Sequence, residues 1–177
     1  MMKKLILAII LIIVTCGVSN AQENKMWAGG GLGFSYFDTD PSIKTFNIAP
    51  EFGYNINNRF AVGMELNYGI GHVSKSKAVH IIDLTPFVRF NAVNADRFTF
   101  FVDGMFTFGK TINGNADRNR DHLAVGLRPG LLFKASDKFD FFGKFGFLGY
   151  SKEEGGGDGV FSFDANTNAT LGVAFKF

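Results

Sequence analysis

Two neighbouring stretches decide the fold: residues 45–54 (TFNIAPEFGY) and residues 60–70 (FAVGMELNYGI). In both, a large apolar residue stands at every second position and a small or polar residue stands between. Successive side chains of a β-strand point to opposite faces, so each stretch fits a strand that separates an apolar environment from a polar one. Residues 55–58 (NINN) lie between them and have the composition of a turn. The pair is therefore predicted to form a β-hairpin.

The same alternation recurs along the chain and gives an even number of segments. They are residues 26–37, 45–54, 60–70, 79–91, 98–109, 122–134, 139–150 and 160–177. A tilted strand needs about 9–11 residues to cross a membrane. The connections alternate between short turns (55–58, 91–96, 135–138) and longer loops (38–44, 72–77, 110–121, 151–159). This pattern predicts an all-β fold, an eight-stranded antiparallel up-and-down transmembrane β-barrel.

Side-chain volume and charge indicate which face is the outside. The apolar set is dominated by bulky residues, among them most of the 22 Phe, and an eight-stranded barrel has too little interior space for them. The charged strand residues fall on the other face, which we predict to be a polar network in the lumen. Its members are Glu51, Glu65, Asp83, Arg89, Asp103, Arg128, Asp140, Lys144, Asp164 and Lys176. Paired across a narrow bore, these charges would plug it, and Phe87, Phe101, Phe142 and Leu148 are predicted to point inward beside them.

Two alternatives remain open at this point. A soluble lipocalin-like carrier of an apolar ligand also has eight alternating strands, with the apolar face inside. A narrow pore is the other alternative, and it would favour cations because acids outnumber bases in the predicted network. Pro50, Pro86 and Pro129 are the weakest points of the strand assignment, since each lacks a ladder donor. We expect local bulges there, or positions where no donor is needed.

The first 21 residues have the features of a cleaved signal peptide. Lys3 and Lys4 precede an apolar run, and Ser19-Asn20-Ala21 offers small residues for cleavage. The predicted division is therefore a signal peptide over 1–21 and a single barrel domain over 22–177. The only cysteine, Cys16, falls in the signal, so no disulfide or thiol chemistry is expected in the mature chain. Removing the signal leaves as many basic as acidic side chains, and no nucleic-acid partner is expected.

The last strand carries the most specific local feature. Leu171, Val173, Phe175 and the terminal Phe177 share one face. With the signal peptide and the eight segments, this end resembles the small eight-stranded outer-membrane β-barrel family of the OmpA/OmpX type. The resemblance implies residence in the outer membrane of a Gram-negative-type bacterium, contact with outer-membrane lipids, and periplasmic N- and C-termini. It also implies that the barrel-assembly machinery reads these four residues as an assembly signal.

No motif in the sequence predicts an enzyme, a cofactor or a metal site. His72, Ser74, His80 and His122 fall near the longer loops, where a His–Ser pair could serve acyl transfer, but their spacing matches neither a catalytic nor a metal-ligand pattern. The run from Gly29 to Gly33 lacks the lysine of a phosphate-binding loop, and lumen glycines that admit a bulky Tyr or Phe explain it better. A surface ligand, if there is one, is expected at the loops from Lys110 to Asp121 and from Ser151 to Gly159. The expected role is envelope integrity or surface interaction.

Overall fold

The computed structural model describes residues 25–37, 43–73, 78–113, 119–154 and 158–177. They form eight strands, and no helix among them is long and apolar enough to span a membrane. The strands are β1 (Met26–Phe37), β2 (Ile43–Asn55), β3 (Phe60–Val73), β4 (Val79–Asn94), β5 (Phe98–Asn113), β6 (Arg120–Lys134), β7 (Phe139–Glu153) and β8 (Val160–Lys176). The predicted signal peptide lies outside the described residues.

The strands pair in chain order, each antiparallel to the next, and β8 returns to β1 to close the barrel. Closure pairs the backbone of every strand on both sides, as a lipid environment requires. The all-β, eight-stranded antiparallel barrel predicted from the sequence is confirmed. One end of the barrel holds the short turns at residues 56–59, 95–97 and 135–138, together with the start of β1 and the end of β8. We call it the turn end, and we call the opposite end the loop end.

The turn end is held by side chains that suit tight turns. Asn57 accepts hydrogen bonds through Oδ1 from the backbone N–H of Arg59 and of Phe60, both at 2.8 Å. Ser136 Oγ accepts from the backbone N–H of Phe139 at 3.0 Å. Asn and Ser favour turns because their side chains bond nearby backbone groups in this way.

Large apolar side chains cover the outer face of the barrel. At mid-height, Val88 is 50% exposed and Leu127 is 47% exposed, while Glu65 and Asp103 on the inner face are buried. The lipocalin-like alternative, with its apolar face inside, is therefore wrong. The physical reason is volume, because the interior has room for small and polar residues but not for the bulky set.

Each mid-strand proline coincides with a break in one ladder. Pro50 pairs with Gly30 of β1, but the β2–β3 pairing skips from Ile48 to Glu51 without a change of register. Pro86 likewise pairs with Met64 of β3, while the β4–β5 pairing skips from Leu84 to Phe87. Each of these two prolines thus lies at a position where it is paired with only one of its two neighbouring strands, as expected for a residue that lacks the N–H donor.

Pro129 faces an irregularity in the neighbouring strand. The β6–β7 register shifts between Leu127 and Gly130, and the β7–β8 register shifts between Phe145 and Phe147. Gly146 lies at this point with φ of 73°, a left-handed conformation that glycine adopts without steric penalty. The extra residue of β7 is a β-bulge.

The bulge corrects two assignments made from the alternation. In the sequence, Phe147 continues the alternation of Phe139, Phe141 and Phe145, which predicts that it faces lipid. In the structure it lines a lumen cavity together with Asp164. Leu148, predicted to point inward, pairs with Leu127 of β6 and Phe163 of β8, whose side chains are exposed on the outer face. One inserted residue exchanges the faces of every residue beyond it, and this reverses the assignments on that side of Gly146.

The strands at the loop end are longer than the apolar pattern predicts. Lys110 and Asp121, placed in a loop from the sequence, are register partners in β5 and β6. Ser151 likewise belongs to β7 and pairs with Val160 of β8. Backbone pairing does not need an apolar face, so the ladders continue beyond the apolar belt. The undescribed parts of these two connections are residues 114–118 and 155–157.

Candidate functional site in the barrel lumen

Six charged side chains meet at mid-height in the lumen, one from each of the six consecutive strands β2 to β7. We call them the central network. Its members are Glu51, Glu65, Arg89, Asp103, Arg128 and Lys144. They share the lumen because each stands at an inward position of its strand. Three carboxylates face three cations, so the network carries no net charge.

Two bidentate pairs form the outer parts of the network. Arg89 donates to Asp103 from Nε at 2.7 Å and from Nη2 at 2.9 Å. Arg128 donates to Glu65 from Nη1 at 2.9 Å and from Nη2 at 2.8 Å. Paired N–H donors of a guanidinium match the two oxygens of a carboxylate, which makes such contacts strong and directional.

Lys144 connects the two pairs. Glu51 and Glu65 are register partners on β2 and β3, and like charges placed opposite each other in a sheet repel. Lys144 reaches across from β7, and its Nζ donates to Glu51 and, at 2.7 Å, to Glu65. The same Nζ lies 3.9 Å from Asp103. Lys144 is only 2% exposed, so its ammonium group is compensated by carboxylates rather than by water.

Aromatic rings pack around the cations of the central network. Arg89 lies 3.9 Å from the ring centroid of Phe101 and 5.0 Å from that of Trp27. Lys144 lies 5.2 Å from the centroid of Phe87 and 5.1 Å from that of Phe142. All four rings are buried, and cations over aromatic faces are attracted to them. The charges and the rings thus lie together at this level of the lumen.

Glycines on neighbouring strands make room for these rings. Gly53 lies under Trp27, Gly63 under Phe87, Gly130 under Phe101 and Gly172 under Phe142, where an added Cβ would collide with the ring. The run at the start of β1 has different neighbours. Gly29 approaches the backbone of β8, and Gly33 approaches the side chain of Asn47. The explanation given for this run from the sequence, bulky Tyr or Phe neighbours, is therefore wrong.

A polar cavity of about 400 Å³ lies between the central network and the loop end. A chain of contacts crosses its wall. Asn47 donates to Asn67 at 2.7 Å, Asn67 donates to Asp83 at 2.9 Å, and His122 Nε2 lies 3.0 Å from Asp83. Asp164 lines the same cavity. Asp83 and Asp164, both predicted from the sequence to belong to the lumen network, thus line this loop-end cavity and are not part of the central network.

A second cavity, of about 610 Å³, lies at the turn end. Asp140 and Lys176, the remaining selected residues, line it and form an ion pair at 2.9 Å. The structure therefore divides the selected residues into a central network, a loop-end group and a turn-end pair. Trp27 and His122 were not among them, although Trp27 stands on the face of β1 that also carries Gly29 and Gly31.

The two histidines whose side chains the structure describes, His80 and His122, contact Tyr68 and Asp83. His80 Nδ1 lies 2.9 Å from the hydroxyl of Tyr68, and His122 faces Asp83. The side chain of His72 and the whole of Ser74 lie outside the described residues. Among those that are described, no group of three or more His, Cys, Asp or Glu converges as a metal ion would require.

Comparison with known proteins adds to this geometry at the level of the fold. No protein family matches the sequence, and no characterised protein matches it. Neisserial surface protein A matches the structure with a TM-score of 0.59 at 12% identity, over 86% of this chain and 97% of that one. This chain has the fold of a small outer-membrane β-barrel.

Two further solved structures carry the same barrel. The outer-membrane protein OprG from Pseudomonas aeruginosa matches with a TM-score of 0.55 at 10% identity, over 89% of this chain and 98% of that one. The N-terminal β-barrel domain of OprF from the same bacterium matches with a TM-score of 0.51 at 18% identity, over 88% and 100%. The resemblance to small eight-stranded outer-membrane barrels, inferred from the sequence, is confirmed for the fold.

Proposed function

We propose that this chain is an integral outer-membrane barrel with a plugged lumen, which serves envelope integrity or surface interaction through its loop end. The neutral, buried central network is the observation that carries the proposal. In this arrangement the signal peptide over 1–21 directs export, and the turn end with both termini lies in the periplasm. Leu171, Val173 and Phe175 are exposed on the outer face of β8, where the barrel-assembly machinery could read them with Phe177.

The central network supports a structural plug because each of its charges lies in an ion pair with an opposite charge. Two of its buried atoms, Glu51 Oε1 and Arg128 Nε, have no hydrogen-bond partner. Removing one member of a buried ion pair leaves the other uncompensated at high energetic cost. An ion moving through the bore would have to separate several such pairs at once. Phe101 and Asp103 are both 0% exposed, and this burial supports a bore that is closed to water at their level.

We expect the purified barrel to show no stable open conductance in planar lipid bilayers. Wide barrels of 16–18 strands leave an aqueous channel, whereas eight strands leave room only for side chains. The measurement is single-channel current, with a large porin as the positive control. Stable openings that favour cations would contradict the plug and support the narrow-pore alternative, for which Asp83 and Asp164 in the loop-end cavity would provide the selectivity.

The two proposed roles, envelope integrity and surface interaction, differ in whether they require the loops. Two exposed cross-strand ion pairs lie at the base of the loops, where Lys110 is 3.3 Å from Asp121 and Arg120 is 3.4 Å from Glu153. Replacing residues 114–118 and 155–157 with Gly-Ser linkers leaves these pairs in place. If surface interaction is the role, we expect this strain to lose binding to host or bacterial surfaces while it resists detergent like the wild type. A strain without the whole gene should become detergent-sensitive if envelope integrity is the role.

A further inference from the structure

The turn end carries a repeated arrangement of basic residues. Each odd-numbered strand is preceded by a cation, and the backbone carbonyl of that cation accepts a hydrogen bond from the end of the neighbouring even-numbered strand. The four bonds are Asn55 N–H to Lys25 at 2.7 Å, and Asn91 to Arg59, Lys134 to Arg97 and Lys176 to Lys138, each at 2.8 Å. We call these cations, Lys25, Arg59, Arg97 and Lys138, the basic ring. A ladder bond holds each of the four backbones at the same level, but Lys25 is partly buried and lines the turn-end cavity, whereas Arg59, Arg97 and Lys138 are exposed.

Directly above the basic ring lies a belt of aromatic residues. The residue after each cation faces an aromatic partner on the next strand, in the register pairs Met26–Tyr54, Phe60–Phe90, Phe98–Phe133 and Phe139–Phe175. The ring centroids of the three Phe pairs are 5.2, 5.0 and 5.1 Å apart. Aromatic belts of transmembrane barrels mark the boundary between the hydrocarbon and the headgroups. One residue further along a strand is a step of about 3.3 Å, which places the basic ring at headgroup depth.

The charge of the turn end is not balanced by acids. Among the described residues, the basic ring together with Lys134 and Lys176 gives the turn end six cationic side chains, against the three acidic side chains of Asp96, Asp137 and Asp140. Arg59, Arg97 and Lys138 are exposed. At the loop end, Lys110 and Arg120 are each paired with an acid.

From this geometry we infer that the basic ring binds the phosphate groups of anionic phospholipids in the leaflet at the turn end. The inference rests on the proposed function only in that the barrel must cross a membrane. Basic side chains near a membrane surface attract anionic lipids, and the attraction falls off within a Debye length. Arg59, Arg97 and Lys138 give each of the three turn-end hairpins its own headgroup contact, so these cations set the depth at which the barrel sits.

The test measures lipid selectivity in reconstituted vesicles. The mature barrel is inserted into phosphatidylcholine vesicles that contain spin-labelled phosphatidylglycerol or spin-labelled phosphatidylcholine, and the motionally restricted fraction of each label is compared. We expect the wild type to select phosphatidylglycerol by about two- to fivefold, and added salt to weaken the preference. The ring variant Arg59→Gln/Arg97→Gln/Lys138→Gln should lose it. The matched control Lys110→Gln/Arg120→Gln/Lys152→Gln removes the same charge at the loop end and should keep it.

Three outcomes would overturn the basic ring as a lipid site. They are a wild type without selectivity, a ring variant that keeps it, and a control that loses as much as the ring variant. The inference would also be overturned if the ring bound a soluble polyanion such as polyglutamate but showed no lipid selectivity. The partner would then be an acidic polymer and not a lipid. Each sample is also run on SDS gels boiled and unboiled. A faster unboiled band shows an intact barrel, so failure of the inference is distinguishable from failure of the proposed membrane barrel.

Discussion

Replacing Lys144 with methionine is expected to lower the free energy of unfolding by about 3–5 kcal/mol. Methionine keeps the length of the side chain but removes the charge between Glu51 and Glu65, which face each other across the β2–β3 ladder. Arg128 would still bind Glu65, but Glu51 would keep only Arg89, at 3.9 Å. Neither carboxylate can turn to water, because both are 4% exposed. The measurement is urea unfolding of the barrel in vesicles, followed by the fluorescence of Trp27, the chain's one tryptophan.

Lys110→Met is the matched control for this experiment. Lys110 also pairs with an acid, but the side chains of Lys110 and Asp121 are 53% and 62% exposed. Exposed pairs contribute about 0–1 kcal/mol, so the control should unfold almost like the wild type. Adding Glu51→Gln to Lys144→Met should restore part of the loss, because it removes one of the two opposed charges. Equal losses for Lys144→Met and the control would mean that the central network does not hold the barrel together.

Arginine in place of Leu127 is expected to destabilise the barrel by about 2–4 kcal/mol, the effect of a cation facing lipid near the bilayer midplane. Leu127 lies on the outer face between Gly104 of β5 and Leu148 of β7, at the height of the central network. Urea unfolding in vesicles measures this effect as well.

Val93→Arg provides the control at the membrane boundary. Val93 is 59% exposed and pairs with Phe100 close to the turn end. Near an interface the same substitution should lower the unfolding free energy by only about 0–1 kcal/mol. A Leu127→Arg barrel as stable as the Val93→Arg barrel would indicate that the outer face meets water at every height, against a membrane crossing.

The strands could be predicted from the sequence because their signal is local. Alternation of side chains is a property of each strand by itself, so the segments from 60 and from 98 begin at the residues where β3 and β5 begin. The bulge at Gly146 could not be predicted in this way. Within the run FFGKFGFLGY, several glycines have a similar sequence environment, and only the register with Pro129 on β6 and with β8 identifies the one that adopts a left-handed conformation.

The contacts within the lumen could not be predicted from the sequence either, because they depend on the closed barrel. Alternation selects Lys144 and Glu51 as inward-facing, but it contains no information on which residues lie opposite across the bore. That pairing depends on strand tilt and register, which are set by all eight strands together. The pair of Asp83 and His122 has the same origin, because Gly109 stands between them in the register and its missing side chain lets them meet.

The span of the central network along the chain has a consequence for assembly. Lys144 is 93 residues from Glu51 and 79 residues from Glu65, so these contacts form only after β7 has curved round to face β2 and β3. An open sheet that has acquired its early strands holds two neighbouring carboxylates with no cation between them. We therefore expect the charge of Lys144 to compensate Glu51 and Glu65 only as the wall closes, so a partly closed barrel should be less stable than the closed one.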